Sequence, residues 1–303
     1  MKLFVLVLAS LFFTAAFGQD TVLLQTQRIK VLSWNIYMLP GFLGYGKLER
    51  SEAIGELLAQ SDYDVIVFQE AFYGPARKKI FELLKSTYPF QAGPANRSPL
   101  SFRTNSGLWI FSRHPIVKEF AIAYETRYGI DAMSRKGALL IEINLHGQRV
   151  QVIATHLQNA GNAWRKHSQC AELFHKVIKQ FARPAVPQII CGDFNIDKYQ
   201  ASQEYESMVA TLQVTDSDFA KGEYSYDRLT NDLDVEKGTN RELIDFIFMR
   251  NNATQMSLKR KGIRIFRQAW HKNHHDLSDH YGIEAEFEFK VTPELKTLTA
   301  SVQ

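Results

Sequence analysis

The 303-residue chain contains only two cysteines, Cys170 and Cys191. That is too few for a disulfide-stapled scaffold, so the fold must rest on a packed core. Cys170 falls on the apolar face of an expected helix and Cys191 in an expected strand; the pair is open to bonding or to remaining as two buried thiols, and neither sits in the surroundings of a nucleophile. Internal repeats, low-complexity tracts and Pro/Gly/Ser-rich linkers are all missing, which leaves one domain as the expectation. Beyond the N-terminus no apolar run reaches membrane-spanning length, so no transmembrane anchor is expected. A dominant charge is lacking as well: a net charge of +4 is too mild to imply a nucleic-acid partner. The glycines at 41, 44 and 46 have neither the spacing of a phosphate-cradling loop nor a following Lys-Ser/Thr, which excludes a nucleotide site there.

What is present is enough apolar material, 45% of residues, to bury a large core. Residues 1–18 read as a signal peptide: Lys2 precedes a short apolar run from Leu3 to Phe13, and Ala16 and Gly18 suit cleavage before Gln19. The mature chain, 19–303, is expected to be exported, either secreted or periplasmic. Asn252-Ala253-Thr254 matches a glycosylation acceptor pattern. Apolar alternation and near-continuous apolar runs predict strands over 28–35, 64–70, 107–112, 137–144, 149–155, 189–193, 243–248 and 283–289. Helical spacing predicts helices over 48–60, 75–86 and 163–182.

Polar residues suited to metal or acid/base chemistry stand at the ends of these strands. Asn35 ends the first strand, Glu70 the second, and His156 follows a third. Ile189-Ile190-Cys191-Gly192-Asp193-Phe194-Asn195 runs from a buried strand into a glycine turn bearing a carboxylate and a carboxamide, which together hold a hydroxylic nucleophile, a phosphate oxygen or a hard cation. Asp245 interrupts an apolar strand; a lone buried carboxylate is costly, so it needs a partner, either a histidine or Arg241. Asp279-His280 places a titratable base beside a carboxylate. Lys259-Arg260-Lys261, Arg264 and Arg267 precede Trp270, which reads either as a solvated basic strand or as a membrane-surface hairpin. His271, His274 and His275 read as a wet loop or as a transition-metal cluster. The aromatic and aliphatic residues Phe42, Leu43 and Tyr45 read as packed inward or as meeting a lipid surface.

In order, Trp34-Asn35, Gln69-Glu70, Thr155-His156-Leu157, Gly192-Asp193-Phe194-Asn195, Ile244-Asp245-Phe246 and Ser278-Asp279-His280 resemble the signature series of the endonuclease/exonuclease/phosphatase superfamily, with its DNase I-like fold. Ser33 to Pro40, Glu70-Ala71-Phe72, Ser134-Arg135-Lys136-Gly137 and Thr155-His156-Leu157-Gln158 are most similar to the secreted neutral sphingomyelinases. The resemblance implies an α/β, or α+β, four-layered sandwich of two packed β-sheets flanked by helices. It also implies hydrolysis of sphingomyelin to ceramide and phosphocholine with Mg2+, by a monomer meeting its substrate in the membrane surface. In that reading Glu70, Asn35 and Asp279 hold the metal, which stabilises the departing alkoxide. His280 is the base, steadied by Asp245; Asp193 and Asn195 orient water and phosphate, and His156 donates to a phosphoryl oxygen. Lys136, Phe72 and Trp270 face the substrate, Lys136 having a structural salt bridge as its alternative. The segment before Ser278 is shorter than the aromatic membrane hairpin of the bacterial toxins. A nuclease or a phosphatase of the same fold, and a catalytically silent membrane-binding protein, are the competing readings.

Overall fold

The computed structural model describes residues 25–291 apart from 99–102, 160, 217–218, 220–221, 234–237 and 251–255. The signal-peptide expectation and the 252–254 glycosylation pattern lie outside these residues. The first half of the chain alternates strands and helices: β1 (Gln25–Met38), α1 (Lys47–Ala59), β2 (Val65–Ala71), α2 (Gly74–Leu84), β3 (Phe90–Ala92), β4 (Trp109–Ser112), β5 (Ile116–Ala123), β6 (Gly137–Leu145) and β7 (Gln148–His156). There follow α3 (Ala163–Leu173), a π-helical turn (Phe174–Ile178), α4 (Lys179–Phe181), β8 (Gln188–Asp193) and α5 (Ser202–Leu212). Short strands β9 (Tyr226–Asp227) and β10 (Arg241–Glu242) lead to β11 (Asp245–Arg250), β12 (Ser257–Arg264), β13 (Arg267–His271), β14 (His274–Asp276) and β15 (Gly282–Val291).

Two mixed sheets result, ordered β12-β15-β1-β2-β4-β3 and β11-β8-β7-β6-β5, beside the ribbons β9–β10 and β13–β14. Strand periodicity explains why they stack. Along β1, Ile29 and Val31 join the large core between the sheets, whereas Leu32, Trp34, Ile36 and Met38 face the other way, into a second core with α1 and α2. β2 repeats the split, with Val65 and Val67 on one side and Ile66 and Phe68 on the other. A strand covered on both faces reads as continuously apolar, as β2 does from Val65 to Phe68. The second sheet is covered outside by Cys170, Leu173 and Val177 and by Met208 and Leu212 of α5. The architecture is therefore helix, sheet, sheet, helix, as expected. Both cysteines are free and buried, in the places their patterns assigned.

In each sheet one parallel pair sets the working edge. β1 and β2 run parallel with Asn35 opposite Gln69, and β7 and β8 run parallel with His156 opposite Asp193. β11 pairs antiparallel to β8, bringing its first residue, Asp245, opposite Asp193. β15 pairs antiparallel to β1 and starts at Gly282, just past Asp279-His280. Strand ends carrying all the expected polar clusters thus meet at one edge of the sandwich, the place where α/β folds bind ligands. Gly192 makes the β7–β8 approach possible, because a Cβ there would lie 1.9 Å from the Thr155 carbonyl oxygen.

Of the two readings of the basic run, the strand is the one found, as part of a sheet. β12 pairs along β15, and its cations meet acids: Lys259 with Glu288, Arg260 with Glu284 at 3.0 Å, and Lys261 with Asp216 at 2.7 Å. The hairpin is the shorter β13–β14 ribbon. Its Trp270 donates its indole N–H to the Asp276 carbonyl at 2.9 Å, stacks on His274 and lies against Gly46. The helix expected over 163–182 is broken by the π turn, and α5 carried no expectation at all.

Candidate active site

The edge where the strand ends converge opens into a cleft of ≈ 430 Å³ whose lining includes Glu70, Lys136, His156, Asp193, Asn195, Asp279 and His280. Three lining residues, Tyr37, Glu70 and Asn195, have positive φ of 50°, 55° and 53°. Non-glycine side chains rarely adopt that conformation, and strain of this kind concentrates where side chains are aimed at a ligand.

His280 anchors the cluster. Its Nδ1 lies 2.8 Å from Asp245 Oδ2, and its Nε2 lies 3.9 Å from Asp193 Oδ2. Trp34 fixes the backbone by donating its indole N–H to the His280 carbonyl at 2.9 Å. Burial disfavours the imidazolium, but the Asp245, Asp279 and Asp193 carboxylates outweigh it and hold the His280 pKa well above the ordinary range. With Nδ1 donating to Asp245, Nε2 is left facing the cleft. Of the two partners considered for Asp245, the histidine is the one found; Arg241 pairs with Asp227 at 2.8 Å.

Asp193 joins the two sheets. Its Oδ2 accepts from Asn35 Nδ2 at 3.1 Å, and its Oδ1 accepts from the Asn195 backbone N–H at 2.9 Å. Burial and the Asp245 charge push its pKa up to about 7 against the opposing pull of His280, Lys136 and Asn35. His156 Nε2 lies 3.3 Å from Asp193 Oδ2 and 3.0 Å from Lys136 Nζ. Burial, Lys136 and His280 hold the His156 pKa well below its usual value, so the ring is neutral. Lys136 directs its three protons to His156, to the Leu157 carbonyl at 3.1 Å and to Asp131 at 2.9 Å. It therefore lines the cleft and makes the salt bridge at once.

Glu70 is different. Its Oε2 is buried with no hydrogen-bond partner, and burial followed by the Asp279 charge pushes its pKa up to about 7, with Lys136 and His280 opposing. Asp279 is raised too, by burial, with His280 and Arg50 opposing. Two carboxylates that repel each other, one with a dangling oxygen, fit a hard divalent cation, which takes oxygen ligands and supplies the missing charge. Asp193, Asp245 and His280 also bring ligand atoms within 4.8 Å of one another. In that group, however, the imidazole already serves both as hydrogen-bond donor and as counter-charge. Asn35 spends its amide on Asp193 and its Oδ1 on the Tyr37 N–H at 3.1 Å, so it braces the site from below.

Phe72 and Trp270 are not part of the cleft wall. Phe72 packs against Gly107, and Trp270 is held by the contacts above, against Gly46 just before α1. The histidines 271, 274 and 275 stay with Trp270, Tyr45 and Asp232 and gather no metal-like cluster among the described residues. The opposite wall, Tyr226, Arg228, Asn240, Glu242 and Ile244, had no signal in the sequence beyond the neighbourhood of Asp245. Asp131 was equally silent, although it receives the Asn159 N–H at 2.7 Å as well as the Lys136 ammonium.

Known proteins share this fold. The chain is 26% identical over 318 residues to phospholipase C of Staphylococcus aureus, covering 94% of this chain and 96% of that protein. It is 26% identical over 306 residues to a sphingomyelinase C of Bacillus cereus, covering 89% and 92%. A mutant beta toxin of Staphylococcus aureus with bound magnesium ions superposes with a TM-score of 0.76 at 26% identity, over 86% of this chain and 99% of that one. The Endonuclease/Exonuclease/phosphatase family matches residues 32–280, and the chain belongs to that family.

Proposed function

We propose that this chain is a magnesium-dependent phosphodiesterase that hydrolyses sphingomyelin at the membrane surface to ceramide and phosphocholine. The observation that carries the reading is the Asp245–His280–Asp193 group in one cleft with Glu70, whose buried Oε2 lacks a hydrogen bond. The names of the relatives supply the substrate; the geometry supports the reaction type.

His280 Nε2 accepts a proton from water as that water attacks phosphorus. Asp245 holds the ring and favours the imidazolium that forms, a role worth about 10² to 10⁴ in rate for a positioned base. Asp193, fixed by Asn35 and Asn195, accepts a hydrogen bond from the same water and sets its line of approach. The new bond joins water oxygen to phosphorus, the bond from phosphorus to the ceramide oxygen breaks, and that oxygen takes up a proton from solvent. Glu70 and Asp279 would hold the cation, which when bound neutralises their charge, lowers the His280 pKa toward the working range and stabilises the leaving oxygen as a Lewis acid. Lys136, its protons committed to His156, Leu157 and Asp131, contributes its charge as the phosphoryl group gains negative charge. For His156 to donate directly to a phosphoryl oxygen, its Nε2 must exchange Lys136 or Asp193 for substrate.

The test incubates the purified protein with sphingomyelin, phosphatidylcholine, lysolipids and duplex DNA, each with magnesium or chelator. Phosphocholine release from sphingomyelin that needs magnesium is the expected result. Cleavage of DNA without phosphocholine release would replace the reading by the nuclease of the same fold.

A further inference from the structure

We propose that an apolar crown around the mouth of the cleft, carried by the 39–45 loop on one rim and the 128–133 turn on the other, is the surface that docks this protein on a lipid bilayer. The inference rests on the lipid phosphodiesterase reading above and goes beyond it by naming the membrane-contacting residues.

On the first rim Leu39 lines the cleft, and three residues later Phe42 is 94% exposed, the most exposed large apolar side chain among the described residues. Leu43 beside it is exposed as well. The loop is built to hold them there. Lys47, itself buried, donates to the carbonyls of Leu39 (3.1 Å), Gly41 (2.6 Å) and Leu43 (2.6 Å). An apolar side chain held in water by a buried cation that organises its loop is a presented group, not an unpacked one.

On the second rim Asp131 lines the cleft and is fixed by Lys136 and Asn159. Its neighbours Ile130 and Met133 are 80% and 61% exposed. Tyr128 closes this rim with the Arg165 guanidinium 4.0 Å from its ring centroid, next to the exposed Trp164.

The chemistry of the cleft identifies the partner. Apart from Leu39 and Ile244 its aliphatic content is nil, so it accepts a polar headgroup and offers nothing to hydrocarbon chains. The chains of a lipid whose headgroup occupies the cleft must stay outside it, where the apolar crown lies. Aromatic and aliphatic side chains with an ammonium under one rim and a guanidinium under the other suit the boundary between headgroups and acyl chains. Lys259, Arg260 and Lys261 of β12 are paired with acids within the fold, so attachment should be hydrophobic and only weakly sensitive to salt.

The experiment compares the wild type with the triple variant Phe42→Ser, Ile130→Ser, Met133→Ser. Binding to vesicles of phosphatidylcholine and sphingomyelin is measured by flotation in chelator. Turnover is measured on the same vesicles and on a monomeric short-chain phosphocholine diester. Expected are salt-insensitive vesicle binding by the wild type and a loss of about tenfold or more in the variant, with the ratio of vesicle to monomer turnover falling by a similar factor. Unchanged vesicle binding by the variant overturns the proposal. So does a wild type that elutes as a dimer while the variant elutes as a monomer, which would assign the crown to a second copy of the chain. The catalytic reading fails separately, if the wild type hydrolyses neither substrate while its vesicle binding still depends on the crown.

Discussion

Two regions of this molecule bury charge, and they do so in opposite ways. Under the 39–46 loop, the fully buried Arg50 donates to the carbonyls of Ile36, Leu277, Tyr37 and Tyr45 at 2.7 to 3.3 Å, and Lys47 donates to three more. Each nitrogen of the two side chains has a carbonyl to bond; burial lowers the Arg50 pKa only to about 10, leaving it charged. At the cleft, by contrast, Glu70, Asp279, Asp193 and Asp245 crowd around one imidazole, and buried oxygens of Glu70 and Asp245 lack a hydrogen bond. Satisfied buried charge builds shape, while unsatisfied buried charge is held against its own preference for a ligand or a reaction.

That contrast can be broken by substitution. The largest effect is expected at His280→Ala: a loss of about 10² to 10⁴ in turnover with an unaltered circular dichroism spectrum. Full activity in that folded variant would remove His280 from the base role. Glu70→Gln should come next, abolishing the rise in melting temperature that magnesium gives the wild type; a magnesium shift retained by the variant would move the cation elsewhere, with the Asp193, Asp245 and His280 group as first candidate. Arg50→Met reverses the expectation for the other region. It leaves at least four carbonyls short of a donor and should lower stability by about 3 kcal/mol or more in urea unfolding, with the magnesium response kept.

The smallest effect is a pH dependence. Glu70 ionises at about 7 in the fold against an ordinary 4.5, so the stability it contributes is full below about 4.5 and is lost as pH rises through about 7. In chelator, wild type should therefore lose melting temperature relative to Glu70→Gln between pH 5 and pH 8. With magnesium the order reverses, because the ionised carboxylate is the form that binds. Parallel melting curves for the two proteins across that range would show that Glu70 is not desolvated as described.

The strands that build the cleft were legible because they are buried on both faces, and each ended in a polar residue that a purely structural strand has no use for. Asp245 was legible from cost alone, since a carboxylate inside Leu243 to Phe248 demands a partner. The basic run at 259–267 left two readings open because local charge says nothing about Glu284, Glu288 and Asp216, which reach it through sheet pairing and the packing beside it. Trp270 read as a substrate contact because Gly46 reaches it only in the tertiary structure, and His274 and Asp276 through the β13–β14 pairing. Asp131, Tyr226 and Glu242 stand in segments with weak periodicity, where only the fold shows that they face the cleft. The crown was half visible, since Phe42, Leu43 and Tyr45 stand out in a glycine-rich loop, but the buried ammonium that props up Phe42 did not.

The hydrogen bond from Asn35 to Asp193 crosses from one layer of the sandwich to the other. A chain in which only one layer has formed owns half a catalyst, with the candidate cation ligands on one side and the Asp245–Asp193 pair on the other. Turnover then reports that both layers are in place together.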